Sequence, residues 1–142
     1  MASIDRALSG QPLQFHLRSE QARITGSERQ EAHGRSGRTL IRDGPLRVNL
    51  VSLGPGEAMA EHHAPGPITV QVLEGKIRFT ADGTHHDVHV GELLALGAGT
   101  PHAVMSEEGG VFLLTLALPG SPLPEEPAEP EGPAEPEGPA ER

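Results

Sequence analysis

The chain has 142 residues, no cysteine and a formal net charge of −9. This length has room for one domain, and the absence of cysteine excludes a disulfide framework and thiolate metal ligands. Seven of its acidic side chains fall in residues 119–142, so the remainder is nearly neutral and lacks the basic surface that binds nucleic acid. It contains neither a secretory signal nor a run of 18 apolar residues, so we predict a cytoplasmic protein that has no membrane partner.

Residues 1–37 are predicted to form an N-terminal arm that is helical in part. Ser19 is a candidate N-cap for a helix reaching His33, although Gly26 interrupts it and its apolar face is thin. The arm is rich in arginine. We expect Arg35 and Arg38 to hydrogen-bond to the surface of the following domain.

Residues 38–118 show the pattern of an antiparallel all-β domain. Apolar and polar residues alternate in short segments, and turns recur about every eight to twelve residues. The predicted strands are 39–42, 46–53, 58–63, 68–73, 76–80, 84–90, 93–96, 102–105 and 111–118. Asp82-Gly83 predicts a hairpin, and so does Glu74-Gly75. We also expect strand 46–53 to present an edge that a second chain could cover.

Residues 119–142 are predicted to form a disordered tail. The segment PAEPEG occurs at 127–132 and again at 133–138. Such a sequence has too little apolar surface to offset the entropy lost on ordering, so we expect an extended, self-repelling chain.

Two motifs in the β domain resemble those of the cupin family. Gly56, His62 and Gly75 fit the first motif, G-x5-H-x-H-x3/4-E-x6-G, and Gly91 and His102 fit the second, G-x5-P-x4-H-x3-N. The resemblance implies a jelly-roll barrel, that is, an antiparallel double-stranded β-helix, with a small-molecule site in its mouth. It also implies a homodimer, because small cupins pair their barrels.

The family's metal ligands are only partly kept. In cupins that bind metal, two His and a Glu of the first motif join a His of the second, but here Ala64 stands at the second His position and Ile68 at the Glu position. The resemblance therefore implies a reduced site of His62 and His102 for a divalent ion such as Zn, Fe, Ni or Mn.

The longer spacing of the first motif offers another pair. It places Glu61 and His63 at the first two ligand positions, which makes His63 a further metal candidate. Successive side chains of a strand point to opposite faces, so His62 and His63 should not bind the same ion.

Two other groups of side chains bear on the site. His85 and His89 share a face of one strand with Asp87, and we expect them, with His86, to be polar residues on an outer sheet face. The barrel mouth is expected to be apolar and suited to a small organic ligand. The side chains assigned to it are Met59, Val70, Val72, Leu94, Val104 and Phe112.

Three functions remain open on these observations. The first is a small cupin that binds a small ligand, and weakly a divalent metal, through the reduced His site. The second is a metal-dependent dioxygenase or isomerase, which needs three or four protein ligands. The third is a metal-free sensing or interaction module.

Overall fold

The computed structural model describes residues 7, 8, 10–25 and 33–119, and these form a curled antiparallel sheet with a helix packed on it. This confirms the predicted jelly-roll class. The elements are α1 (Leu17–Ile24), β1 (Arg35–Asp43), β2 (Leu46–Leu53), β3 (Ala58–His62), β4 (Ile68–Ala81), β5 (Thr84–His89), β6 (Leu93–Leu96), β7 (His102–Met105) and β8 (Gly110–Ala117). Residues 26–32 of the predicted helix and the predicted tail beyond Pro119 lie outside the described residues.

The two layers of the barrel share one long strand. The first half of β4 pairs with β8 and β6, and its second half pairs with β5 and β7. One layer is therefore β1-β2-β8-β4-β6 and the other is β5-β4-β7-β3. The layers share β4, which bends at Gly75, and we call the end of the barrel farthest from this bend, where Ile68 and Ala81 lie, the open end.

The predicted hairpin at Glu74-Gly75 is wrong, because the chain continues through this point as β4. A register shift lies between Val72 and Glu74, so the strand bends by a bulge and does not reverse. Gly75 has a φ of 74°, the left-handed conformation that glycine adopts without steric cost. The hairpin predicted at Asp82-Gly83 is confirmed, since Ala81 pairs with Thr84.

Strand β2 is not a sheet edge, contrary to the sequence prediction. It pairs with β1 on one side and with β8 on the other, from Leu46 to Leu53 in both cases. The edge of this layer is β1, whose pairing with β2 begins at Arg35, earlier than the predicted strand.

The curled sheet buries apolar side chains on both of its faces. The inner core lies between the layers and includes Phe79 and Phe112, whose ring centroids are 5.7 Å apart. A second cluster, the outer cluster, lies on the opposite face of the first layer, where Leu40, Leu50 and Val111 pack with Ile24 of α1. Because α1 covers this face, the layer has no wholly solvent-exposed side and its strands are apolar in both directions.

Helix α1 begins after His16, not after the predicted Ser19. The Nδ1 atom of His16 accepts a hydrogen bond from the main-chain N–H of Ser19 at 3.3 Å, which makes His16 the N-cap. Glu20 forms an ion pair with Arg38 of β1 at 2.8 Å, so Arg38 contacts the helix of the arm. No helix among the described residues is long and apolar enough to cross a membrane.

Candidate functional site

Strands β3 and β7 bring His62 and His102 together at the open end of the barrel. The two residues are paired across the strands, and their ring centroids lie 4.4 Å apart with the ring planes at 64°. A bulge in β3 produces this pairing. Met59 faces Val104, and the bulge then adds a residue before the next pair, so His62 and not Glu61 lies opposite His102.

Both imidazoles are held in the same tautomer by the main chain. The Nδ1 atom of His62 lies 2.8 Å from the carbonyl oxygen of Ala60, and Nδ1 of His102 lies 2.9 Å from that of Thr100. A carbonyl oxygen can only accept a hydrogen bond, so each Nδ1 carries the proton and donates it. In the neutral imidazole this leaves the lone pair on Nε2, the arrangement that suits a metal ion or a hydrogen-bond donor on a ligand.

The two histidines differ in their exposure. His102 is only 3% exposed, and its ring lies beside Phe79 at a centroid distance of 6.0 Å. His62 is exposed at the end of β3. One imidazole of the pair is therefore packed at the inner core, and the other is accessible to solvent and to a ligand.

These two imidazoles do not make a closed metal centre. Ile68, at the Glu position of the first motif, is 3% exposed and packs in the inner core, and Ala64 packs against the same core. Within residues 7, 8, 10–25 and 33–119, no group of three or more His, Cys, Asp or Glu side chains could hold a metal ion. The two imidazoles could provide two ligands to a metal ion, and the other coordination positions of that ion would be taken by water or by a bound ligand.

The third metal candidate, His63, is not part of this pair. It follows the last residue of β3 and is exposed, as is Glu61. Glu61 lies within the bulge between Met59 and His62 and has no paired residue on β7 in the register. The alternative spacing of the first motif therefore corresponds to side chains outside the barrel.

The histidines of β5 form separate contacts on the second layer. His85, Asp87 and His89 lie on its outer face, as predicted, and each has its own partner. The Nδ1 atom of His85 lies 2.8 Å from Oγ1 of Thr80, and Nδ1 of His89 lies 3.1 Å from Oε1 of Glu92.

The remaining histidine of this strand, His86, lies on the inner face. It is half-buried opposite Phe79. The prediction that all three histidines lie outside is therefore wrong for His86.

Asp87 is paired with an arginine of the neighbouring strand. The Nε and Nη2 atoms of Arg78 donate hydrogen bonds to its two carboxylate oxygens, at 2.8 and 3.3 Å. These bonds, with the positive charge of Arg78, hold the pKa of Asp87 below its usual value. The carboxylate is thus engaged by Arg78 and is not placed between the histidines as a ligand.

The apolar side chains assigned to the mouth fall into two groups. Val70, Val72, Val104 and Phe112 are fully buried in the inner core, so they form its base. Met59 and Leu94 are partly buried around that core, together with Leu96, Leu114 and Leu116. The latter five give the open end its apolar lining.

Two polar side chains of the inner face were not recognised from the sequence. Arg47 and Asn49 of β2 pair with Leu116 and Leu114 of β8, which pack on the inner core. Leu50, in contrast, belongs to the outer cluster. The alternation in β2 predicts a strand but does not say which face points inward, and both faces of this strand are covered.

A separate cleft of about 770 Å³ lies on the outside of the barrel, between α1 and β4. Two of its side chains, Leu17 and Leu73, pack on the outer cluster of the first layer, whereas His62 and His102 belong to the second layer. Its lining consists of His16, Leu17, Arg18, Gln21, Ala22, Thr25, Leu73 and Glu74.

The central part of the chain matches the model of a known protein family. The model of the family described as Cupin domain matches residues 49–116, which run from β2 to β8 and include both His62 and His102. A search of the curated proteins found no significant match.

Solved structures share the fold at low sequence identity. A conserved protein of unknown function from Streptococcus pyogenes is 24% identical, with a TM-score of 0.64 over 85% of this chain and 98% of that one. A cupin superfamily protein from Desulfitobacterium hafniense is 19% identical, with a TM-score of 0.64 over 83% and 100%. Salicylate 1,2-dioxygenase from Pseudoaminobacter salicylatoxidans is 14% identical, with a TM-score of 0.65 over 72% of this chain and 34% of the enzyme.

Proposed function

Because residues 49–116 form a domain of the cupin superfamily, we propose that this protein binds a small organic ligand at the open end of its barrel, with His62 and His102 as polar contacts. The observation that carries the proposal is the pairing of two imidazoles, each with its Nδ1 bound to a main-chain carbonyl, beside a partly buried apolar lining. Small-molecule sites typically combine such a lining with a few convergent polar groups.

A divalent metal would bind at this point only weakly. His62 and His102, whose ring centroids lie 4.4 Å apart, are the two residues that would hold such an ion. With only two protein ligands, however, much of the coordination shell would be solvent, and the affinity should fall well below that of a closed site.

The two alternatives remain predictions. A dioxygenase or isomerase would need a third protein ligand, which the described residues do not offer near His62 and His102. The dioxygenase among the structural neighbours is 14% identical, and a likeness at this identity extends to the fold and not to the activity. A metal-free sensing module would use the same mouth without an ion.

Titration of the full-length, untagged protein with Zn, Ni or Mn tests the site. We expect substoichiometric metal after purification and weak binding by calorimetry on addition. His62→Ala should abolish binding, and because His62 is exposed this substitution should leave the fold intact. His102→Ala should do the same, although its burial makes a thermal melt necessary as a check.

The matched control is His85→Ala, which removes an imidazole from the outer face of the same layer. It should leave metal binding unchanged. Loss of binding in His85→Ala or His89→Ala, with wild-type binding in His62→Ala, would move the site to the outer face and overturn the assignment.

A further inference from the structure

The strand register identifies a polar strip on the inner face, in the layer that does not carry the histidine pair. Arg47 and Asn49 share their face with Val51, because these residues alternate along β2 and pair with Leu116, Leu114 and Phe112 of the inner core. Directly paired residues of neighbouring strands lie on the same side of a sheet. The side chains of Arg47 and Asn49 therefore point toward the inside of the barrel.

Strand β1 extends the strip toward the edge of the layer. Thr39 pairs with Asn49, and Arg42 pairs with Arg47. We call these four residues the arginine strip. Thr39, Arg47 and Asn49 are half-buried, and Arg42 is exposed.

Arg47 is held in place by the turn between β1 and β2. Its Nη1 atom donates a hydrogen bond to the carbonyl oxygen of Gly44 at 2.6 Å and makes a longer one to that of Leu46 at 3.3 Å. Both contacts use the same guanidinium nitrogen, so the other donors of the planar group are not occupied by these carbonyls. The guanidinium is positioned, yet keeps donors for a ligand.

The charge of the inner face is positive. Of the carboxylates in the described strands, Asp43, Glu74 and Asp87 lie on outward faces, and Glu61 is exposed in the bulge of β3. Of the two arginines of the strip, Arg47 is the half-buried one, so an anion bound between the layers would meet its guanidinium.

We propose that the ligand of the open end is a small organic carboxylate with a short apolar body. Arg47, with Asn49 beside it, binds the carboxylate, since a guanidinium matches that group in shape and charge. The apolar body packs on Leu94, Leu96, Leu114 and Leu116, which are partly exposed on the same face. This inference rests on the proposed function and names the chemical class of its ligand.

Calorimetric titration of the full-length protein with hexanoate tests the inference, and hexanamide serves as the uncharged analogue. We expect hexanoate to bind at least tenfold more tightly than hexanamide, and inorganic phosphate, which has no apolar body, to bind more weakly than hexanoate. Arg47→Gln should weaken hexanoate binding about tenfold, the lower end of what one charged hydrogen-bonded contact contributes. Arg47→Lys should recover part of the loss, because it restores the charge but not the planar pair of donors.

The matched control is Arg23→Gln, which removes the same charge from the exposed surface of α1 and should leave hexanoate binding unchanged. Equal binding of hexanoate to wild type and Arg47→Gln, equal binding of hexanoate and hexanamide, or no binding of hexanoate would each overturn the inference.

Histidine imidazole NMR signals separate this inference from the proposed function. If hexanamide binds as tightly as hexanoate and shifts the signals of His62 and His102, the carboxylate assignment fails and the histidine site stands. If hexanoate binds through Arg47 without shifting either signal, the carboxylate assignment stands and the role of the histidine pair fails.

Discussion

At the scale of single residues, the ion pair between Arg78 and Asp87 shows how charged side chains on the outer face are paired across neighbouring strands. Two hydrogen bonds from the guanidinium stabilise the ionised carboxylate, and they are the first cause of its lowered pKa. A carboxylate whose pKa is lower in the folded state stabilises the protein above its unfolded pKa, about 3.9 for Asp. That stability is lost as the pH falls through the lowered value.

Arg78→Gln should therefore raise the pKa of Asp87 toward its usual value. We expect the variant to be less stable than the wild type at neutral pH, and the difference to shrink as the pH falls below the normal Asp range. A carboxyl-carbon NMR titration measures the pKa, and thermal melts from neutral pH down to about pH 2.5, below the usual Asp range, measure the stability.

Glu92 provides the internal control for this titration. Its pKa is lowered mainly by the main-chain N–H of His89, which donates to Oε1 at 2.8 Å, and Arg78 takes no part in that contact. The pKa of Glu92 should be the same in both proteins. An unchanged pKa of Asp87 in Arg78→Gln would show that the ion pair does not form in solution.

At the scale of elements, β4 sets the shape of the barrel because it belongs to both layers. Its bend lies at Gly75, where β8 passes so close that a Cβ atom would overlap the main-chain oxygen of Gly109. The contact is with backbone, which cannot move aside as a flexible side chain could. Glycine is needed here both for its φ of 74° and for the space.

Gly75→Ala should consequently destabilise the protein severely, by more than about 4 kcal/mol, or prevent folding. Gly83→Ala is the matched control, since Gly83 has a φ of 73° but no atom within 4 Å of the position that a Cβ would occupy. It should cost only about 1–2 kcal/mol, the steric cost of the left-handed conformation. Urea unfolding of both variants compares the two, and equal costs would show that β8 does not constrain the bend.

At the scale of the whole molecule, the described residues leave apolar surface and strand edges that bear on assembly. Val90 and Leu93 are 59% and 66% exposed, and β1 is the edge of its layer. The prediction of a homodimer remains untested, as does that of a cytoplasmic location. The predicted disordered tail lies outside the described residues.

We expect the full-length protein to be a homodimer at micromolar concentration, because exposed edges and apolar side chains are commonly covered by a second copy. Light scattering coupled to gel filtration measures the mass directly. A mass twice the 14.9 kDa of the chain is the expected result. A single species at the monomer mass across the concentration range would reject the dimer.

The sequence by itself determined the β class, most strand positions and the two histidine motifs. Alternation and turn residues are local signals, so β2, β6 and β7 could be placed residue by residue. The hairpin at Glu74-Gly75 failed because the same Glu-Gly pair also fits a bulge, and only the passage of β8 beside Gly75 decides between them.

The tertiary structure alone decided which side chains meet at the open end. A bulge in β3 selects His62 over Glu61 as the partner of His102, and no local pattern announces where an extra residue enters a strand. Arg47 points inward because Val48 and Leu50, which alternate with it along β2, pack on the face that α1 covers. Which side chains of a strand point toward the core depends on what packs against each face of the sheet, and the packing elements are distant in the sequence.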